Sequence, residues 1–347
     1  MDSEFVFELQ VCAWAERHWE RVGGDGPVLV ARQLGTRHRR WDTVVLECDP
    51  DGLAARARFG AERLDSDLLH VVRHAPAEWA WYRDALLDPG YPWRYVREAV
   101  HDAADRGIVE TRREGNRIEL RRRWRYPEWV DRVVAIENKP DLDASAARVL
   151  AEQLERDVAL GLADEVWVAT AATGGRVEPV LLEDVPVEVG ILTLEPGVRG
   201  ADAAEVTWRP RQLAVAEAGT RVLDRPAGGT RDASPARFEY ADPDWKADKR
   251  REIAERAYER GWRSYVDSMR PDCRHFRLEP CADVARPYCA AKGRHQTAAE
   301  CAGSCPDFEP EPPAWRQHAW PVGRGPGGAV TRLLEEQRAR QRPGPGE

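Results

Sequence analysis

Val133-Val134-Ala135-Ile136-Glu137-Asn138-Lys139-Pro140 runs four apolar residues into two charged ones and then stops at a proline. Valine and isoleucine suit a pleated, buried strand, and proline does not continue one at its centre. Side chains alternate faces along a strand, so Glu137 and Lys139 share a face and Asn138 points the opposite way. Two charges at the end of an apolar strand are costly unless they reach solvent or perform work. Read alone, the triplet is either a solvated strand end or part of a site.

Working outward, Trp41 to Cys48 (WDTVVLEC) is a second strand opened by Asp42 and closed by the turn Asp49-Pro-Asp-Gly. Val28-Leu-Val precedes it as another strand. Residues 4–20 carry Phe5, Leu9, Cys12 and Trp19 at helical spacing, and Gly23, Gly24 and Gly26 end that helix. Beyond Pro140 come a helix over 144–161, the strand Glu165-Val-Trp-Val-Ala-Thr, and apolar runs at 177–182 and 187–194. Helix, strands, helix, strand is an α/β order.

An acid on one strand, Glu-x-Lys on the next and a helix after it resemble the PD-(D/E)XK, or restriction-endonuclease-like, nuclease superfamily. The matching residues are Asp42 for the first acid and Glu137-Asn138-Lys139 for the second motif. Glu8 matches an acid that many members place on the first helix. Gln153, in AEQLERDVALGL, sits where RecB-like members often carry a glutamine. The resemblance implies a mixed sheet flanked by helices, with Glu8, Asp42, Glu137, Lys139 and Gln153 as catalytic residues. Asp42 and Glu137 would be ligands of Mg²⁺ or Mn²⁺, with Glu8 a further one. Hard carboxylate oxygens suit such a cation, and a lysine beside it could orient water and steady negative charge. Two departures stand out. The first acid follows Trp41 instead of proline, and about ninety residues separate the motifs, a gap far beyond the usual. The whole architecture also resembles a family of salt-loving archaea without an assigned function.

The stretch between the motifs reads as an inserted domain over 76–127. A short helix is predicted from Pro76 to Asp88, a second from Pro92 to Gly107, and a hairpin turns at Glu114-Gly-Asn. Helix, helix and hairpin resemble a winged helix with 92–106 in the recognition position. Residues 91–125 hold ten arginines against six acids, within a chain of net charge −8. Arg94, Arg97, Arg112, Arg113, Arg117 and Arg122 are the candidate nucleic-acid contacts, gripping phosphates without reading bases. A small insertion that packs on the core or docks a protein would show the same pattern.

Residues 196–243, rich in Gly, Pro, Ala and Asp, read as a linker, and 311–347 as a mostly disordered tail with one short helix near 329–340. Between them, 244–310 holds a charged helix and a cysteine module. Cys273, Cys281, Cys289, Cys301 and Cys305 crowd into 33 residues with His275 and His295. In a reducing compartment such crowding points to zinc or an iron–sulfur cluster before disulfides. Cys12 is either a further cluster ligand or, like Cys48, a small buried apolar residue.

No run approaches the roughly 20 apolar residues of a membrane helix, and the N-terminus lacks a basic start, so a cytoplasmic protein is expected. The expected division is a nuclease core over 1–75 and 128–195, with insert, linker, module and tail as above. The expected activity is Mg²⁺-dependent hydrolysis of DNA. A nuclease fold that binds DNA without cutting it, and a protein-interaction module, are the alternatives.

Overall fold

The computed structural model describes residues 3–20, 26–37, 39–142, 144–171, 185–195, 201–224, 237–262, 273–281, 284–296 and 305–309. The expected run at 177–182, the tail and Cys301 lie outside them. Helix α1 (Ser3–His18) is followed by strands β1 (Val28–Gly35) and β2 (Arg40–Cys48) and by short helix α2 (Pro50–Arg56). Next come α3 (Ser66–His74), β3 (Ala80–Trp81), α4 (Tyr82–Ala85), α5 (Trp93–Asp105), β4 (Val109–Glu114) and β5 (Arg117–Arg122). The motif strand β6 (Val130–Asn138) leads to α6 (Ala144–Leu160), β7 (Glu165–Ala171), β8 (Gly190–Leu194) and β9 (Ala204–Trp208). The described chain continues through β10 (Gly219–Asp224), β11 (Arg237–Ala241), α7 (Pro243–Arg260), β12 (Phe276–Cys281), β13 (Val284–Cys289) and β14 (Arg294–His295).

Six strands form the main sheet in the order β1-β2-β6-β7-β8-β9. The first three are antiparallel, β7 and β8 run parallel to β6, and β9 closes the edge antiparallel, making the sheet mixed. Alternation along β2 and β6 divides the apolar residues between two layers. Val45, Val134 and Ile136 pack with Phe7, Leu9 and Cys12 of α1. Val44, Leu46, Val133 and Ala135 pack on the other face with Leu150 and Leu154 of α6 and Ile253 and Ala257 of α7. The expected α/β class with helices on both faces is what this packing shows.

Three expected boundaries differ. Ala204–Trp208 lies in the stretch expected as a linker but forms the edge strand of the main sheet, and Gly219–Asp224 pairs with Arg237–Ala241. Glycine and alanine made this segment look irregular, whereas the backbone pairing of an edge strand needs little side-chain burial. Second, α7 is not a separate charged helix. It buries Ile253, Ala254, Ala257 and Tyr258 in the main core and wholly encloses an ion pair between Glu255 and Arg56 of α2.

Third, the helix expected from Pro76 is the two-residue strand β3 and the single turn α4. The helix that packs against α5 is α3, ahead of the expected boundary at 76. Its start is marked by Asp65, whose carboxylate accepts from the Leu68 amide. β3 pairs with β5, and β5 with β4, giving a small sheet of order β3-β5-β4 beside the three helices. Among the described residues no helix is long and apolar enough to cross a membrane.

Candidate functional site

The register Thr43↔Ile136 between β2 and β6, continued by one step, sets Asp42 opposite Glu137. Both acids stand on the sheet face covered by α6, at the end where β6 stops. Asp42 Oδ2 accepts from the backbone amide of Asn138 at 3.0 Å, which fixes its carboxylate across the strand end. Asn138 points to the other face, as alternation requires, and donates to Thr43 Oγ1 at 2.9 Å. Lys139 follows and forms an ion pair with Glu4 in the first turn of α1.

Glu8 comes from α1 and is joined to the pair through Gln33. The Gln33 amide nitrogen donates to Glu8 Oε2 at 3.2 Å and to Asp42 Oδ1 at 3.1 Å. Gln33 has φ 53, the one positive φ outside glycine among the described residues. A left-handed residue without glycine's freedom is strained by about 1–3 kcal/mol and persists where its surroundings demand it. Here the side chain it presents spans two carboxylates. Glu8 Oε1 is buried and accepts no hydrogen bond among the described residues, with Arg32 Nη1 at 3.4 Å as its counter-charge.

Arg39 reaches in from the β1–β2 turn. Its Nη2 donates to Glu137 Oε1 at 2.6 Å and to Asp157 Oδ2 at 2.8 Å, the latter on α6. That turn is tight: the Thr36 amide donates to the Arg39 carbonyl at 2.7 Å. A Cβ on Gly35 would fall 2.2 Å from the same carbonyl oxygen, so glycine is required there.

Electrostatics follow from this crowding. Burial pushes the Glu137 carboxyl up from 4.5 to about 8; Asp42 adds to the rise and Arg39 opposes it without winning. Burial likewise raises Glu8 to about 7, against Arg32 and with Asp42. Burial acts to lower Lys139, but the hydrogen bond and charge of Glu4, then Asp42 and Glu137, outweigh it and hold its ammonium above the usual range. Three acids and a lysine thus sense one another, and two of the acids resist ionisation near neutral pH.

Of the sequence-predicted residues, Glu8, Asp42, Glu137 and Lys139 gather at this end of the sheet. Gln153 does not. It is exposed on α6 and makes no hydrogen bond to the acids among the described residues. Asp157, one turn further along the same helix, makes the inward contact instead. As they stand, no three His, Cys, Asp or Glu side chains among the described residues are placed to hold one metal ion. Gln33, Arg39 and Asp157 were missed from sequence, because Arg39 and Asp157 lie 118 positions apart and no local pattern marks such a pair.

In the insert, Arg94 and Arg97 are exposed on α5, with the Arg94 guanidinium 4.6 Å from the Tyr95 ring centroid. The hairpin arginines are less free than their number suggests. Arg112 pairs with Glu119 at 2.7 Å and lies over Trp79, and Arg121 pairs with Glu110. Arg117 lies over Trp81, while Arg97, Arg113 and Arg122 form no ion pair among the described residues. In the cysteine module, Cys289 is paired in register with Phe276, three residues beyond Cys273. The Arg274 amide donates to the Glu309 carbonyl, bringing the Cys305 segment alongside. Cys289 and Cys305 form no disulfide among the described residues; Cys301 and the side chain of Cys281 lie outside what is described. Cys12 is fully buried beneath α1, contacts Thr43 Oγ1 at 3.3 Å, and has its thiol pushed up by burial, the behaviour of a packed apolar residue.

No curated protein and no solved structure matches the chain. A family model matches residues 29–310, which include β1, both motif strands, α7 and the cysteine module, and on that match the chain belongs to DUF5787, a family of unknown function.

Proposed function

We propose that this end of the sheet is the active site of a divalent-metal-dependent phosphodiesterase acting on DNA, of the PD-(D/E)XK type. The observation that carries the proposal is the cross-strand opposition of Asp42 and Glu137, with Lys139 next after the strand end and charge-coupled to both. Two facing carboxylates, Glu137 buried and Asp42 half-buried, repel when both ionise, which is unfavourable in a purely structural role. A cation between them would turn that cost into affinity.

The donor set fits magnesium or manganese, since Asp42 and Glu137 offer hard oxygens, with Glu8 as the expected further ligand. Bound there, such an ion would acidify water and neutralise charge on a phosphate. The Gln33 amide and the Asn138 backbone N–H hold the Asp42 carboxylate in place. Lys139, released from Glu4, would orient the attacking water and steady the extra negative charge. The helices and hairpin of the insert are consistent with a winged helix, whose exposed Arg94, Arg97 and Arg113 and half-buried Arg122 would grip the backbone of DNA. That surface could instead dock a protein. The five cysteines would hold zinc or an iron–sulfur cluster as a staple.

One observation favours a second reading, a nuclease-fold protein that binds DNA without cutting it: Arg39 already occupies one oxygen of Glu137. Cleavage assays with Mg²⁺ or Mn²⁺ on single-stranded, double-stranded and branched DNA decide between them. Lys139→Ala is expected to lower cleavage at least about a hundredfold, the scale of losing one electrostatic stabiliser, with binding almost unchanged. DNA binding by wild-type protein without cleavage of any substrate would award the case to the second reading.

A further inference from the structure

Behind the β1–β2 turn lies a cleft of about 410 Å³, walled by Gly35, Thr36 and Arg37 of the turn, by the start of α3, and by α7. Arg37, Arg63, Arg221, Lys249 and Arg256 line it, against two acids, Asp65 and Glu252. The acids do not cancel the cations. Glu252 is engaged by Lys249 through both oxygens at 2.8 Å, and Asp65, which caps α3, leaves one negative charge against Arg37, Arg63, Arg221 and Arg256. Arg221 pairs with Glu239 at 3.2 Å, and Arg63 has Glu259 no nearer than 3.8 Å.

Arg256 and Arg37 are left over. Arg256 is partly buried, donates to the backbone carbonyls of Gly35 and Glu252, and forms no ion pair among the described residues. Burial, then Arg260 and Arg63 nearby, lower its basicity despite Glu252. Arg37 is exposed at the rim and has no carboxylate partner among the described residues. A cation held in a walled cleft among other cations is unfavourable unless an anion joins it. Trp245 in the wall, with Arg221 4.9 Å from its ring centroid, adds an aromatic surface of the kind on which bases stack.

We infer that this cleft is a second contact for the nucleic-acid strand, seating a backbone phosphate of a single-stranded segment on Arg37 and Arg256. The inference rests on the nuclease reading for its direction. The turn whose Arg37 lines the cleft is the one whose Arg39 bonds Glu137, so a strand leaving the acids on that side crosses one tight turn to reach it. It adds a grip outside the insert, built by α7, the helix that sequence reading set apart from the core.

The test uses full-length protein without divalent cation, a fluorescein-labelled single-stranded oligothymidylate, and anisotropy across a salt series. Arg37→Glu changes an exposed side chain, and Arg256→Gln tests the partly buried one. Each is expected to weaken binding at least about fivefold at low salt and to flatten the log–log salt slope by about 0.7 for a lost phosphate contact. Wild-type affinity and slope in both variants would overturn the inference and leave the nuclease reading intact. So would displacement of the oligonucleotide by poly-glutamate at equal charge concentration, or no binding by the wild type. Weakened binding in the variants together with no Mg²⁺-dependent cleavage by the wild type would uphold the cleft and remove the nuclease.

Discussion

Two buried carboxylates, Glu255 on α7 and Glu137 on β6, are treated in opposite ways. Glu255 is fully enclosed, yet every direction around it is filled. Arg56 grips both oxygens, Tyr126 Oη donates to Oε1 at 2.7 Å, and the Leu64 amide donates to Oε2 at 2.8 Å. Two further Arg56 donors go to the carbonyls of Gly60 and Glu62, and the Tyr258 ring centroid lies 4.1 Å from the Arg56 guanidinium carbon. Among the described residues Glu137 has one guanidinium partner, shared with Asp157, and a second acid across the strand. A buried charge with every partner supplied joins elements, whereas one crowded by its own sign stores unfavourable energy that a ligand can release.

The contrast breaks most sharply by removing one partner from the satisfied pair. Arg56→Met leaves Glu255 buried without its counter-charge and is expected to cost about 3–5 kcal/mol of stability, read as a shift in urea midpoint at unchanged slope. The double variant Arg56→Met with Glu255→Leu is expected to recover much of that loss. A single variant as stable as the wild type would mean that α7 is not tied to the core through this pair.

Much of the acidic site was legible in the sequence, while the satisfied pair was not. Alternation along two short apolar strands put Glu137 and Lys139 on one face, and the order of the elements put Asp42 on a neighbouring strand. The pairing of β2 with β6 across the roughly ninety residues between the motifs still had to be assumed from resemblance, since nothing local encodes it. Arg56 and Glu255 lie 199 positions apart, and α7 is so rich in charge that its stripe of Ile253, Ala254, Ala257 and Tyr258 is hard to see. Gln153 failed for a related reason. A helix can present either of two residues a turn apart, and burial chose Asp157.

Smaller, and specific to the unsatisfied acids, is an effect of pH. The folded-state pKa of Glu137 is raised from 4.5 to about 8 and that of Glu8 to about 7. A raised carboxyl contributes stability that is complete below its unfolded value and is lost as pH rises through the folded one. Without divalent cation, the wild type is therefore expected to lose stability between about pH 5 and 8 relative to Glu137→Gln, which cannot ionise. Mg²⁺ should reduce that loss and release protons on binding at pH 7. Urea midpoints for both proteins at three pH values test this; a difference that does not change with pH would show that Glu137 is not held protonated.

The subtlest test concerns the strained residue that bridges the acids. Gln33→Gly removes the amide that links Glu8 to Asp42 and places at φ 53 the residue best suited to it. Relief of the left-handed strain, about 1–2 kcal/mol, is offset by the greater freedom of glycine in the unfolded chain, about 0.5–1 kcal/mol. Stability is therefore expected to stay within about 1 kcal/mol of the wild type or to rise slightly. Cleavage is expected to fall several-fold, because the Asp42 carboxylate loses one of the two hydrogen bonds that aim it. Gln33→Ala, which keeps the strain and loses the amide, should be less stable than Gln33→Gly and no more active. Equal activity in all three proteins would mean that the backbone outlier serves only the β1–β2 pairing. A drop in Gln33→Gly that Gln33→Glu does not repair, with stability preserved in both, would separate the neutral bridge from a mere spacer between the carboxylates.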